Sequence, residues 1–316
     1  MDRRALLRGA GLLLPAAAAA GFAAAPAAAQ EAQAANYKVI VAEQKKNYAM
    51  VFPKNKAFTD ANAEKIYKAA NPYWADLSDV RIRSTASHGT VGLLAASGGA
   101  VGIWDVKSKK VHSSTDLLWE ARPGGNPHAF ERIPNIGAYV SASSDGFLTL
   151  WAPSDVSKPG TLARVQELDL PGAHGVLWDP GLKWLWACGN KIVKAYKVTG
   201  SKRSTRLSYT GKSVTLSGLG HDLQPDYSNS GRMLVTDTHG VYSFNKGTQT
   251  KTRLHDTTRV KSYVKHSSGE HFYVRGKGGS GSHNWASETV VFSQSTNRTR
   301  SGAWFYKARL YSTAYN

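Results

Sequence analysis

The chain has 316 residues, with 40 Lys and Arg against 22 Asp and Glu and a formal net charge of +18. Its one cysteine excludes an internal disulfide, and beyond the first thirty residues no apolar run approaches the roughly 20 residues of a membrane span. So basic a field favours polyanions, but the cations are scattered and form no zinc-finger spacing or stacking-aromatic module, so no nucleic-acid partner is expected.

The first element is a targeting segment. Asp2-Arg3-Arg4-Ala5-Leu6-Leu7-Arg8 places paired arginines before the apolar run Leu12 to Ala25, which Pro15, Gly21 and Pro26 interrupt. Ala27-Ala28-Ala29 supplies small residues for a signal peptidase. The pattern predicts a twin-arginine signal over residues 1–29, a linker over 30–36, and an extracellular, monomeric domain over 37–316.

From Tyr37 the sequence breaks into short runs of period-two alternation separated by Gly, Asn, Asp and Ser, which predicts strands. Asp60 to Ala70 is the best helix candidate. Val39–Glu43 turns at Lys45-Lys46-Asn47 into Tyr48–Phe52. Val91–Ser97 turns at Gly98-Gly99 into Val101–Asp105. Ala138–Ser143 turns at Asp145-Gly146 into Phe147–Trp151. Trp184–Cys188 turns at Gly189-Asn190 into Ile192–Tyr196, and Met233–Asp237 turns at His239-Gly240 into Val241–Phe244. A looser sixth copy joins His271–Val274 to Thr289–Phe292 through a Gly/Ser-rich loop. Turns of this composition supply the positive φ of tight hairpins, and a repeat of about 45 residues is the propeller period.

A further segment precedes each pair and should be the inner strand, starting near Val80-Arg81, His128, His174, His221, Val260-Lys261 and Trp304. The first pair has no inner strand before it and Trp304 to Leu310 has no pair after it. The expected architecture is therefore an all-β single β-propeller. Six blades are favoured, with seven as the alternative, and the C-terminal strand joins the N-terminal blade to close the ring.

In a propeller the starts of the inner strands meet at one mouth of the central channel. Asn126-Pro127-His128, Gly172-Ala173-His174-Gly175 and Gly218-Leu219-Gly220-His221-Asp222 put three histidines in one register, with Arg81, Lys261, Lys307 and Arg309 near it. Three readings compete. The histidines could bind one divalent metal ion, with Asp222 as a ligand or a second partner of His221. They could grip an acidic sugar and move its protons, with the cations neutralising a uronate carboxylate. They could also only tie neighbouring blades together. Cys188 falls in a core strand and reads as packing, His88-Gly89 and His239-Gly240 fall in hairpin turns, and Gly276 to Ser282 lacks the spacing of a phosphate loop. The tryptophans read mostly as core, with a few at the rim available to stack on sugar.

Several segments together carry a family resemblance. They are Ser97-Gly98-Gly99, Gly125-Asn126-Pro127-His128, Ala173-His174-Gly175-Val176-Leu177-Trp178-Asp179, Gly220-His221-Asp222-Leu223, Val260-Lys261-Ser262 and Phe305-Tyr306-Lys307-Ala308-Arg309. Through them the chain, from about Tyr37 to Tyr311, resembles a family of secreted bacterial propellers of undefined function. More remotely it is similar to propeller-type polysaccharide lyases and glycosidases, including rhamnose–glucuronate and oligogalacturonate lyases. That likeness implies a catalytic histidine or a histidine-held metal in the mouth, although propellers host many activities. The expected function is action on a uronate-containing glycan by β-elimination. His128, His174 and His221 would be the acid and base groups, and Arg81, Lys261, Lys307, Arg309 and Asp222 the substrate contacts. The alternative is a non-catalytic propeller that binds an acidic glycan or a protein.

Overall fold

The computed structural model describes residues 36–315, so the signal read at residues 1–29 and nearly all of the linker lie outside the described residues. In chain order, β1 (Lys38–Glu43), β2 (Tyr48–Pro53) and β3 (Lys65–Lys68) open the first sheet. β4 (Leu77–Thr85), β5 (Gly89–Ala96) and β6 (Val101–Asp105) begin the second. The short β7 (Val111–His112) returns to pair in parallel with β3, and β8 (Leu117–Ala121) completes the second sheet on β6. β9 (Pro127–Ile133), β10 (Ala138–Ser143), β11 (Phe147–Ala152) and β12 (Ala163–Asp169) form the third.

The fourth sheet has six strands: β13 (Gly175–Asp179), β14 (Trp184–Thr199), β15 (Arg206–Pro225), β16 (Arg232–Asp237), β17 (Gly240–Asn245) and β18 (Lys251–His255). β19 (Val260–Lys265), β20 (His271–Arg275), β21 (Thr289–Phe292) and β22 (Arg298–Thr299) form the fifth. The last strand, β23 (Phe305–Leu310), lies antiparallel on β1, from Val39 opposite Leu310 to Glu43 opposite Phe305.

The fold is an all-β β-propeller, and the C-terminal strand closes it on the N-terminal sheet as expected. Closure leaves β1 with a partner on each side. Among the described residues the sheets number five, not the six that a one-blade-per-repeat count leads one to expect. The difference lies in β15, a strand of 20 residues. Its first part pairs with β14, from Arg206 opposite Thr199 to Leu219 opposite Asn190, and its last part pairs with β16, from Gly220 opposite Asp237 to Pro225 opposite Met233. Two repeats thereby share one sheet.

Tight turns and burial explain the local structure. Gly99 and Gly146 adopt φ of 117° and 124°, which L side chains rarely reach, at the hairpins β5–β6 and β10–β11. Strands near the axis are buried along their whole length, as in β13 and β23, whereas the outer β12 and β18 are partly exposed. Large rings fill the spaces between sheets. Trp104 is fully buried beside Tyr67, and a Cβ at Gly92 would sit 2.5 Å from the Trp104 ring. Burying each such ring stabilises the fold by about 2–3 kcal/mol.

The helix expected over Asp60 to Ala70 is not formed. Residues 59–62 turn, and β3 then pairs with β2 through Lys65 opposite Val51 and Ile66 opposite Met50. An open sheet edge and burial of Ile66 and Tyr67 outweigh a modest helical preference there.

Candidate active site at the channel mouth

Six strands stand around the axis, each packed on the next: β4, β9, β13, the end of β15, β19 and β23. In five of them the ladder to the neighbour skips one residue near the start of the strand. The pairing jumps from Leu77 to Asp79, from Pro127 to Ala129, from Gly220 to Asp222, from Val260 to Ser262 and from Phe305 to Lys307. In the remaining repeat the His174 N–H donates to the Cys188 carbonyl while Gly175 also pairs with Cys188. The extra residues are Ser78, His128, His221, Lys261 and Tyr306, and His174 holds the equivalent place just before β13. A β-bulge leaves its extra residue out of the ladder and re-aims its side chain.

A second contact holds the register. In five repeats a turn N–H donates to the carbonyl two residues before the bulged one. These are Ser97 to Asp76, Ser144 to Asn126, Thr238 to Leu219, Gly276 to Arg259 and Gln44 to Trp304, at 2.9–3.1 Å. Asp76, Asn126 and Arg259 take positive φ to present those carbonyls.

Five of these six side chains face one cavity of about 370 Å³: His128, His174, His221, Lys261 and Tyr306. Asn126, Trp285, Gln44, Asp76, Ser97 and Leu219 complete the wall. The His128 and His174 rings lie 4.2 Å apart between centroids, His174 and His221 5.7 Å, and Tyr306 meets His128 edge-on at 5.5 Å. The expected convergence of the three histidines and Lys261 is therefore present.

The local backbone sets the tautomers. His128 Nδ1 lies 2.9 Å from the Asn126 carbonyl, and His174 Nδ1 lies 2.9 Å from the Gly172 carbonyl. A carbonyl only accepts, so both Nδ1 atoms carry hydrogen and both Nε2 atoms keep a lone pair. His221 differs: Lys261 Nζ sits 3.3 Å from its Nε2, and its Nδ1 is buried without a partner. Burial holds all three imidazoles neutral. It lowers His174 to about 3, with Lys307 and Lys261 adding to the effect. It also takes His128 well below its ordinary value, helped by His174, and His221 likewise, helped by Lys261. Lys261 is lowered to about 8, first by burial and then by Lys307. Burial pushes the Tyr306 phenol up, so it stays protonated.

Beneath the mouth the channel is closed by ion pairs, and four expected substrate contacts belong to this layer instead. Arg309 clamps Asp79 at 2.6 Å and Asp222 at 2.7 Å. Arg81 reaches Asp79 at 3.1 Å, Glu131 at 3.4 Å, Asp222 at 3.5 Å and the Leu223 carbonyl at 3.0 Å. Lys307 Nζ donates to the His128 carbonyl at 2.8 Å and the His174 carbonyl at 3.3 Å, with Asp222 at 3.5 Å. Arg83 completes the layer on Glu131 at 2.5 Å. Arg81, Lys307, Arg309 and Asp222 are thus buried and mutually satisfied, and none lines the cavity. The bulges are the physical reason: they put Ser78 and Tyr306 at the extra positions of β4 and β23, and the charged residues further along those strands fall below the mouth.

The metal reading meets an obstacle at His221, whose Nε2 faces the Lys261 ammonium. Among the described residues no group of three or more His, Cys, Asp or Glu is arranged to hold a metal ion. No helix among them is long and apolar enough to cross a membrane.

The profile of a family of unknown function (DUF6528) matches residues 12–313. The chain belongs to that family. No curated protein matches it.

Within this DUF6528 propeller, sequence reasoning overlooked Tyr306 as a mouth group and read Trp285 mainly as core. Aligning Trp304-Phe305-Tyr306 with Asn126-Pro127-His128 would have found the first, since both begin at the residue whose carbonyl takes the turn N–H. Trp285 arrives from the long β20–β21 connection, and no repeat position foretells it. Cys188 is fully buried, its thiol pushed up to about 12 by burial and then by Asp222, which suits packing rather than nucleophilic chemistry. His88 and His239 lie in hairpin turns, as expected.

Proposed function

We propose that the mouth binds a uronate-containing glycan and acts on it by β-elimination. One observation carries this reading: successive inner strands turn three neutral imidazoles, one ammonium and one protonated phenol toward a single cavity. Lys261 pairs with the uronate carboxylate and acidifies the proton α to it. His174, between His128 and His221, takes that proton on its free Nε2. The electron pair forms the new carbon–carbon double bond as the bond to the leaving oxygen breaks, and the Tyr306 hydroxyl protonates that oxygen. Secretion on the signal read at residues 1–29 would bring the protein to extracellular acidic polysaccharide.

A non-catalytic reading is favoured by the burial of His174, which takes its pKa down to about 3 and makes that imidazole a weak base at neutral pH. The two readings part in one assay. Elimination predicts growth of ultraviolet absorbance from an unsaturated uronate when the protein meets gum arabic or pectic fragments. His174→Ala should lower that rate about 10²–10⁴-fold while glycan still binds. Saturable binding without any absorbance change leaves the binding function alone.

The recurrence of the bulge also supports a finer reading of the fold. We infer six blades, two of them fused through β15, because six inner strands stand around the axis and five of them carry the same irregularity.

A further inference from the structure

The segment between β20 and β21 carries side chains that the mouth chemistry does not use. Trp285 forms part of the cavity wall yet remains 39% exposed. Its Nε1–H donates to Gln44 Oε1 at 2.8 Å, and Gln44 is itself buried at the mouth, so the indole is pinned at the rim. His283 lies 5.1 Å from Trp285 and stacks on Trp304 at 3.4 Å with 19° between planes. Lys45 Nζ stands 5.7 Å from the Trp304 ring. It borders, with Lys46 and Arg300, a second hollow of about 120 Å³. Contacts therefore run unbroken from the mouth, over three aromatic rings, to a cationic hollow.

Charge in that hollow is only partly answered. Arg300 pairs with the exposed Asp60 at 2.8 Å, and the Glu43 carboxylate accepts from the backbone of Lys45, Lys46 and Trp304. Lys45 and Lys46 remain exposed. An exposed indole beside ammonium groups suits a polymer whose repeating units present an apolar face and an anionic group. A single acidic sugar would need the mouth alone.

We infer that Trp285 and the Lys45–Lys46 hollow form an extended subsite that takes further residues of an acidic polysaccharide chain while one residue occupies the mouth. The inference rests on the acidic-glycan reading of the mouth and adds that the ligand is a chain. The test is calorimetric binding of galacturonate oligomers of one to six residues to the full chain. Affinity is expected to climb with length. Trp285→Ala should lower hexamer affinity about three- to tenfold and shrink the gain in affinity between the shortest ligand that binds and the hexamer. Trp285→Phe, which keeps a ring and loses the Gln44 bond, should retain most of the length dependence. Lys45→Ala/Lys46→Ala should flatten it as well.

Binding that is independent of length in the wild type, or a length dependence untouched by all three variants, overturns the extended subsite and leaves the mouth reading standing. No binding of any oligomer by a folded protein removes both. Binding of oligothymidylate in a Trp285-dependent manner, with no oligogalacturonate bound, overturns the glycan assignment in favour of single-stranded nucleic acid.

Discussion

Replacing Lys261 by Met separates function from stability at this mouth. The Lys261 ammonium sits in a largely buried wall among neutral rings, with Lys307 nearby, and its pKa falls from 10.5 to about 8. Holding it charged at pH 7 therefore opposes folding by about 3 kcal/mol, at 1.36 kcal/mol for each tenfold change in proton affinity. Lys261→Met removes that opposition while keeping the stem volume, so the unliganded variant should melt higher, by about 5 °C for a domain of this size. The same change removes the cation that meets a carboxylate, so acidic-glycan affinity should fall by about 2–5 kcal/mol, at least thirtyfold.

The sign with pH is specific. Between pH 8 and the ordinary lysine value the unfolded chain still binds the proton and the native protein has released it, so wild-type stability rises with pH across that window. Glycan affinity runs the other way, weakening about tenfold per unit above pH 8 as the free ammonium is lost. Thermal melts and calorimetric titrations from pH 6 to 10 read both trends. A Lys261→Met protein no more stable than wild type at pH 7, or a wild type whose glycan affinity stays flat to pH 10, would falsify the argument.

Two further predictions concern the layer below the mouth. Arg309→Met leaves Asp79 and Asp222 short of a buried cation and should destabilise by about 3–5 kcal/mol in urea melts. Burial alone would raise the Asp79 pKa, but Arg309, Arg81 and Lys307 outweigh it and hold it well below the usual carboxylate range. Its contribution is thus present above about pH 4 and lost as pH falls through the native value. The stability gap between Arg309→Met and the wild type should therefore narrow as pH falls below about 4, and a gap that stays constant with pH would contradict the network. Cys188 should resist thiol reagents in the native protein at pH 8 and react at once in denaturant, and fast native modification would contradict its burial.

Much of this molecule is legible in the chain. Period-two alternation with Gly98-Gly99 and Asp145-Gly146 turns determines the hairpins, because side-chain period and positive φ are local properties. The repeat spacing places His128, His174, His221 and Lys261 in one register, since equivalent positions of successive repeats meet around an axis. Even the closing strand follows from the unmatched ends. Which cations face the ligand was decided only in three dimensions. A bulge shifts a strand's side chains by one residue, and whether it forms depends on hydrogen bonds from a turn about twenty residues away or, for Trp304, from Gln44 near the other end of the chain. That shift brings Tyr306 into the cavity and sends Arg81, Lys307 and Arg309 to partners such as Asp79, Asp222 and Glu131, which local sequence does not reveal. The sharing of β15 between two repeats, and the arrival of Trp285 at the rim, likewise depend on long-range pairing that no periodicity encodes.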